Sequence, residues 1–211
     1  LNDYAYMIKA ALSLHQTSKH NKYLSQAINW TKTVDSFFWD DFGAGYFDSP
    51  SDAEDLIART KTIFDNAVPS GNGIMAENLA RLYYLTGDPN YQKKAEILIT
   101  SVSNNTPNQS ANMPSIMSGF EILEIGLQVV IITTSQENDE LVKAVLSIGN
   151  PNIILSIFPP NKTLPKNSPA FGKNQISNQP TAYVCKRSVC GLPITKSKKL
   201  IDELSFQVTK Q

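Results

Sequence analysis

The carboxylates Asp3, Asp40, Asp41, Asp52, Glu54, Asp55 and Asp65 are the side chains best suited to acid–base work in this chain. Cleaving a glycosidic bond takes two carboxyl groups flanking it, one of them kept protonated. Spacing alone pairs none of these seven. Asp65 and Asp3 fall at the starts of predicted helices and are the catalytic candidates. Asp65 heads a polar block, Asp65-Asn66-Ala-Val-Pro-Ser70-Gly-Asn72, in which a carboxylate stands beside amides and a hydroxyl, and Tyr46 and Phe47 add aromatic rings. Sugar hydroxyls take bidentate polar partners, and the flat apolar face of a sugar takes an aromatic ring. The same block also reads as capping and loop-pinning, with Ser70 or Asn72 as an N-cap and Asp65 holding backbone amides. Both readings are open at this level.

The neighbouring charges have simpler accounts. Ser51-Asp-Ala-Glu54 satisfies a capping box, which explains Glu54 without chemistry. Arg59 and Lys61 are expected to pair with the acids at 52–55, an anionic sugar being the alternative. Epimerisation by proton transfer favours histidines titrating near the working pH. The two histidines, His15 and His20, fall at the far end of the first helix from Asp3 and in the turn after it. No His/Cys/Asp cluster has ligand spacing, so no metal is expected. Cys185 and Cys190 are the only cysteines. Their Cys-x4-Cys spacing is neither a redox Cys-x-x-Cys nor half of a zinc site, so ordinary thiols are the leading reading. A disulfide across two strands joined by a short turn is the alternative.

These residues need elements to position them. Tyr4, Met7, Ile8, Ala11, Leu12 and Leu14 recur at helical spacing behind Asp3 as N-cap. A second helix spans about 22–39. Glycines and aromatics at 41–48 favour a loop or short hairpin. A third helix starts near Asn72 and stops at Thr86-Gly-Asp-Pro89, and Pro89 suits the first turn of a fourth, over 90–102. The turn before Tyr23 and Ala27 resembles the turn before Tyr91 and Ala95, a repeat of about 68 residues. Repeated helical hairpins stack into solenoids or close into toroids. After a polar segment at 106–112 comes a fifth helix, 114–125. The pattern then changes to a buried strand at 127–133, a helix at 137–148 and a second strand at 152–158, a βαβ pattern. A long loop at 159–179, a third strand at 181–185 and a helix at 197–206 complete a small α/β lobe. Its first strand is followed by Thr133-Thr-Ser-Gln-Glu137, with no glycine-rich phosphate motif, so no nucleotide cofactor is expected.

Composition agrees with that division. The 211 residues are 41% hydrophobic and 18% charged, which excludes a disordered chain and suits a sizeable core. Residues 1–127 hold nine basic and fourteen acidic residues, a net −5; residues 128–211 hold ten and five, a net +5. The lysines of the second part are scattered or terminal, without interleaved aromatics, so nucleic acid is not an expected partner. The longest apolar run, 123–132, is broken by Glu124, Gly126 and Gln128, which argues against a membrane span. No basic segment followed by an apolar stretch marks a leader, and a cytoplasmic location is expected. The expected domains are 1–126, mainly helical, and 127–211, α/β.

Several segments together resemble one family: Asn2-Asp-Tyr-Ala-Tyr6, Phe38-Trp-Asp40 with Gly45-Tyr-Phe47, and Ser51-Asp-Ala-Glu-Asp-Leu56. To these add Arg59-x-Lys61, the Asp65–Asn72 block, Leu85-Thr-Gly-Asp-Pro89, and Thr181-Ala-Tyr-Val-Cys185 with Cys190. The chain resembles the C-terminal portion of the YyaL-type, spermatogenesis-associated thioredoxin-domain proteins. The resemblance implies a longer parent: an N-terminal thioredoxin-like domain, an (α/α)6 toroid like those of N-acylglucosamine 2-epimerases and six-hairpin glycosidases, and a small α/β lobe. The fold expected here is therefore mainly α, a partial (α/α)6 toroid followed by that lobe. In such toroids the loops at one end of the inner helices form a cleft. That implies a carbohydrate ligand met by Tyr4, Tyr46, Arg59, Lys61, Asn66, Ser70 and Asn72, with Asp65 and Asp3 as the candidate catalytic pair. The thioredoxin-like domain and its cysteines lie outside these residues, so no redox role passes to Cys185 or Cys190 by resemblance. The alternative is a non-catalytic scaffold that presents a partner to the thioredoxin-like domain.

Overall fold

The computed structural model describes residues 1–18, 20–105, 108–134, 139–163, 166, 168, 170–186 and 189–209. It is mainly α, with an α/β part, and separates into two compact units. One comprises residues 1–83 and 88–124, the other residues 84–87 and 125–211. Among the described residues no helix is long and apolar enough to cross a membrane.

The first unit is built from α1 (Asn2–Ser18), α2 (Asn21–Phe37), α3 (Gly71–Thr86), α4 (Pro89–Asn105) and α5 (Pro114–Ile125). The centre is α3: every residue from 70 to 80 is buried. A helix buried on all sides must have neighbours all round. The Asn78 amide, in α3, donates to the Ala5 carbonyl of α1 at 2.8 Å. On another side α5 comes so close that a Cβ built on Gly119 would lie 2.7 Å from the Ala76 Cβ and 2.8 Å from the Glu77 backbone nitrogen. Two helices approach at such range only where one has no side chain. Gly119→Ala gains helix propensity, about 1 kcal/mol, but collides with backbone that cannot swing aside. We expect a net loss of about 1–3 kcal/mol, read as a lower urea midpoint. The two alanines of the internal repeat, Ala27 and Ala95, are both fully buried.

The second unit carries a four-stranded sheet in the order β2-β1-β3-β4, with β1 (Leu127–Ile132), β2 (Ile153–Phe158), β3 (Thr181–Lys186) and β4 (Val189–Cys190). β1 and β2 run parallel and are joined through α6 (Glu140–Ser147), and β3 lies antiparallel to β1. β1 is buried along its whole length because both faces of the sheet are covered. Leu127, Val129 and Ile131 pack with Val142, Val145, Leu200 and Leu204 from α6 and α7 (Ser197–Thr209). Val130 and Ile132 pack with Ala170, Tyr183 and Cys185. Apart from the buried Gln128, this is the apolar run expected of a strand without a wet face. Asp139 starts α6 by accepting from the Leu141 N–H at 2.8 Å. The expected start at 137 lies outside the described residues.

Three expectations are corrected. The capping-box motif Ser51–Glu54 starts no helix; the segment is a pair of turns, and all four side chains are exposed. The second helix stops at Phe37 rather than 39, because Trp39 pairs with Tyr46 in an isolated bridge. The two cysteines are not free thiols but a disulfide between β3 and the two-residue β4, a strand too short to show periodicity.

Candidate functional site

Between Asp48 and Ser70 the chain has neither helix nor strand, and its own side chains hold it in place. A structureless stretch of this length inside a compact unit is uncommon and usually has a task. Asp48 accepts from the Thr60 and Thr62 hydroxyls at 3.0 and 2.9 Å and from the Thr62 N–H at 3.1 Å. Arg59 donates to the carbonyls of Ser49 and Phe37 at 2.8 Å each and lies 4.1 Å above the Phe47 ring. Lys61 donates to the Asp40 carboxylate and the Ala44 carbonyl, and also faces Phe47. Neither cation is shown paired with the acids at 52–55. Asp40 is pulled down to about 2 by Lys61, with the Phe42 N–H helping.

The Asp65–Asn72 block is bound inward. Asp65 accepts from the Ser70 N–H at 2.7 Å, the Ser115 N–H at 2.7 Å and the Ser115 hydroxyl at 2.6 Å. It thereby caps the first turn of α5 from fifty residues away, the end of a helix that favours an anion. Burial works against its charge, but the Ser115 hydroxyl and the two backbone N–H groups outweigh it and hold the carboxyl below its usual value. Ser70 donates to the Ile63 carbonyl at 2.9 Å and accepts from the Gly73 N–H at 3.1 Å, an N-cap for α3. The Asn72 side chain is buried: its carbonyl takes the Tyr46 N–H at 2.7 Å and its amide serves the carbonyls of Tyr46 and Thr62 at 2.9 and 3.0 Å. Tyr46 has no exposed surface, and its hydroxyl donates to Asp35 at 2.8 Å.

Asp65 aside, the nominated residues thus fall into three groups. Tyr46, Ser70 and Asn72 are buried and internally bonded. Arg59, Lys61 and Phe47 form a separate cluster, and Lys61 and Asn72 line a cavity of about 110 Å³, well below the few hundred Å³ of a typical small-ligand pocket. Asp3 and Asn66 are exposed, and the Tyr4 ring meets Phe38 edge-on at 5.9 Å. One residue was missed. The half-buried Tyr6 donates its hydroxyl to the Pro69 carbonyl at 2.9 Å, and burial first, then the Asp65 charge, raises its pKa. Its signal was present in Asn2-Asp-Tyr-Ala-Tyr6, where two tyrosines compete and only packing chooses between them.

What these residues can do follows from charge. Asp40, Asp65 and Glu77 are all held below their usual carboxyl values. That direction suits an ionised acceptor and opposes the protonated donor of glycoside cleavage.

No protein-family model matches the chain. Human spermatogenesis-associated protein 20 is 33% identical over 92% of the chain, and the rat protein of that name is 31% identical over the same share. The chain is homologous to these proteins. It spans about a quarter of their length, 26% in each case. An uncharacterized protein of Caenorhabditis elegans is 28% identical over 96% of the chain and 27% of its own length. The homology to spermatogenesis-associated protein 20 covers helical and α/β units alike.

Proposed function

We propose that this chain is the C-terminal part of a longer, YyaL-type thioredoxin-domain protein, and that its helical unit is a segment of an α/α toroid that binds a carbohydrate without cleaving it. The observation that carries the reading is Asp65. Its carboxylate is fixed by three hydrogen bonds and partly exposed, and its charge reaches the Tyr6 hydroxyl. A fixed, ionised acceptor, followed in the chain by the exposed amide of Asn66 and within electrostatic reach of a phenol, is a preorganised partner for sugar hydroxyls. Tyr46, Ser70 and Asn72 are then the frame of the site rather than its contacts. Binding is favoured over cleavage because Asp65 is held below its usual value, the wrong direction for a proton donor.

A second reading, a scaffold presenting a partner to the thioredoxin-like domain, is favoured by the inward bonding of Ser70, Asn72 and Tyr46. A thermal-shift panel of neutral and anionic sugars separates the two. Under the carbohydrate reading at least one sugar raises Tm, and Tyr6→Phe, which keeps the ring, weakens that shift. A folded sample that answers no sugar, alone or in the longer protein, rejects it in favour of the scaffold.

A further inference from the structure

Cys185 and Cys190 stand directly opposite each other on β3 and β4 and are bonded. Their surroundings differ. Cys185 has no exposed surface and packs with Val130, Ile132, Ala170 and Tyr183. Cys190 is partly exposed, on the strand at the edge of the sheet, two residues before the exposed Leu192. Of the two residues only Cys190 has exposed surface, so it offers the one approach to the bond from solvent.

The bond has little structural duty. Its cysteines are five residues apart, and Lys186 pairs with Val189 beside them. Beyond it the Gly191 N–H donates to the Val184 carbonyl at 2.8 Å, and Ala182 and Ile194 exchange both backbone hydrogen bonds at 2.8 and 2.9 Å. These backbone hydrogen bonds pair the strands without involving the sulfurs. A cross-link closing so short a loop also removes less chain entropy than one joining distant segments.

We propose that Cys185–Cys190 is a thiol–disulfide exchange site that accepts two electrons from a dithiol approaching the β4 edge. One thiolate of the dithiol bonds to the Cys190 Sγ. The Cys185–Cys190 bond breaks and its electron pair leaves on the Cys185 Sγ, which takes up a proton. Apolar burial favours the neutral thiol there, and the Tyr183 carbonyl lies 4.0 Å away to accept the S–H. The second sulfur of the dithiol then attacks the first, forming the dithiol's own disulfide and releasing Cys190. Two thiols are gained here and two are lost on the reductant, whose two protons end on Cys185 and Cys190. A monothiol makes the same mixed disulfide, but Cys185, held opposite, expels it by re-forming the original bond. The site is thus selective for dithiols. It lies in the α/β unit and does not depend on what the helical unit binds.

The test uses the folded chain at neutral pH, with dithiothreitol or glutathione at equal thiol concentration, acid quenching, alkylation and intact mass. The untreated protein should carry no alkyl groups. Dithiothreitol should yield the doubly alkylated form about tenfold faster than glutathione, with unchanged far-ultraviolet circular dichroism. Glutathione disulfide should add one glutathione to Cys185→Ser, at Cys190, and none to Cys190→Ser. If both thiols are free in air-equilibrated protein, if the bond yields only in denaturant, or if glutathione reduces it as fast, the proposal is overturned. Should either serine variant fail to fold, the rate comparison on the unaltered chain decides.

Discussion

Asn72→Ala is expected to destabilise the helical unit by about 3 kcal/mol or more, because it strands buried backbone groups rather than removing a surface contact. The Asn72 side chain acts as a short piece of strand. It takes the Tyr46 N–H and returns an N–H to the Tyr46 carbonyl, with a further donation to Thr62. Neither Asn72 nor Tyr46 has more than 1% of its surface exposed, so water cannot replace the lost partner. The damage spreads through Tyr46, whose ring packs edge-on against Trp39 at 4.9 Å and whose hydroxyl binds the Asp35 of the Lys94–Asp35 ion pair. Asn72→Asp provides the control. It keeps an acceptor for the Tyr46 N–H but turns a carboxylate toward two carbonyls, and should be at least as harmful. Urea unfolding of both variants checks this. A residue kept only to touch a ligand would give near wild-type midpoints.

How much of this was legible in the sequence depends on the range over which each interaction acts. The helices of the first unit show in apolar spacing and in Thr86-Gly-Asp-Pro89, because period and caps are local. The buried β1 shows in its β-branched run Val129-Val-Ile-Ile132. Asp65 and Ser70 are local in part: a cap before α3 is readable, whereas the Ser115 that completes the Asp65 site is fifty residues further along. Tyr4 and Tyr6 sit on one helix two residues apart, and only the packing of that helix decides which one reaches Pro69. Ser51–Glu54 carries the letters of a capping box, but no apolar periodic run follows to make a helix worth starting. The cysteine pair depends on β4, whose two residues pair only because β3 lies alongside.

Glu77→Ala should cost about 3 kcal/mol, the effect of breaking a buried ion pair by removing one partner. Glu77 lies in the buried helix α3, 2.7 Å from the Lys9 ammonium of α1 and 3.0 Å from the Nε of Arg81 one turn on. Lys9 is exposed enough to return to water, but the Arg81 side chain is only 12% exposed and loses a charge partner inside the protein. Burial pushes the Glu77 carboxyl up; the Lys9 hydrogen bond and the two positive charges pull it down further, to a net value below its usual 4.5. A depressed carboxyl pKa gives stability that is complete above the unfolded value and lost as pH falls through the folded one. The wild-type urea midpoint should therefore drop below about pH 4.5, and continue to drop toward pH 2 as Asp40, held at about 2 by Lys61, takes its proton. In Glu77→Ala the midpoint is lower at pH 7 and the first part of that slope is shallower; an unchanged slope would refute the assignment. The ion triad that ties α1 to α3 also keeps Glu77 ionised at neutral pH.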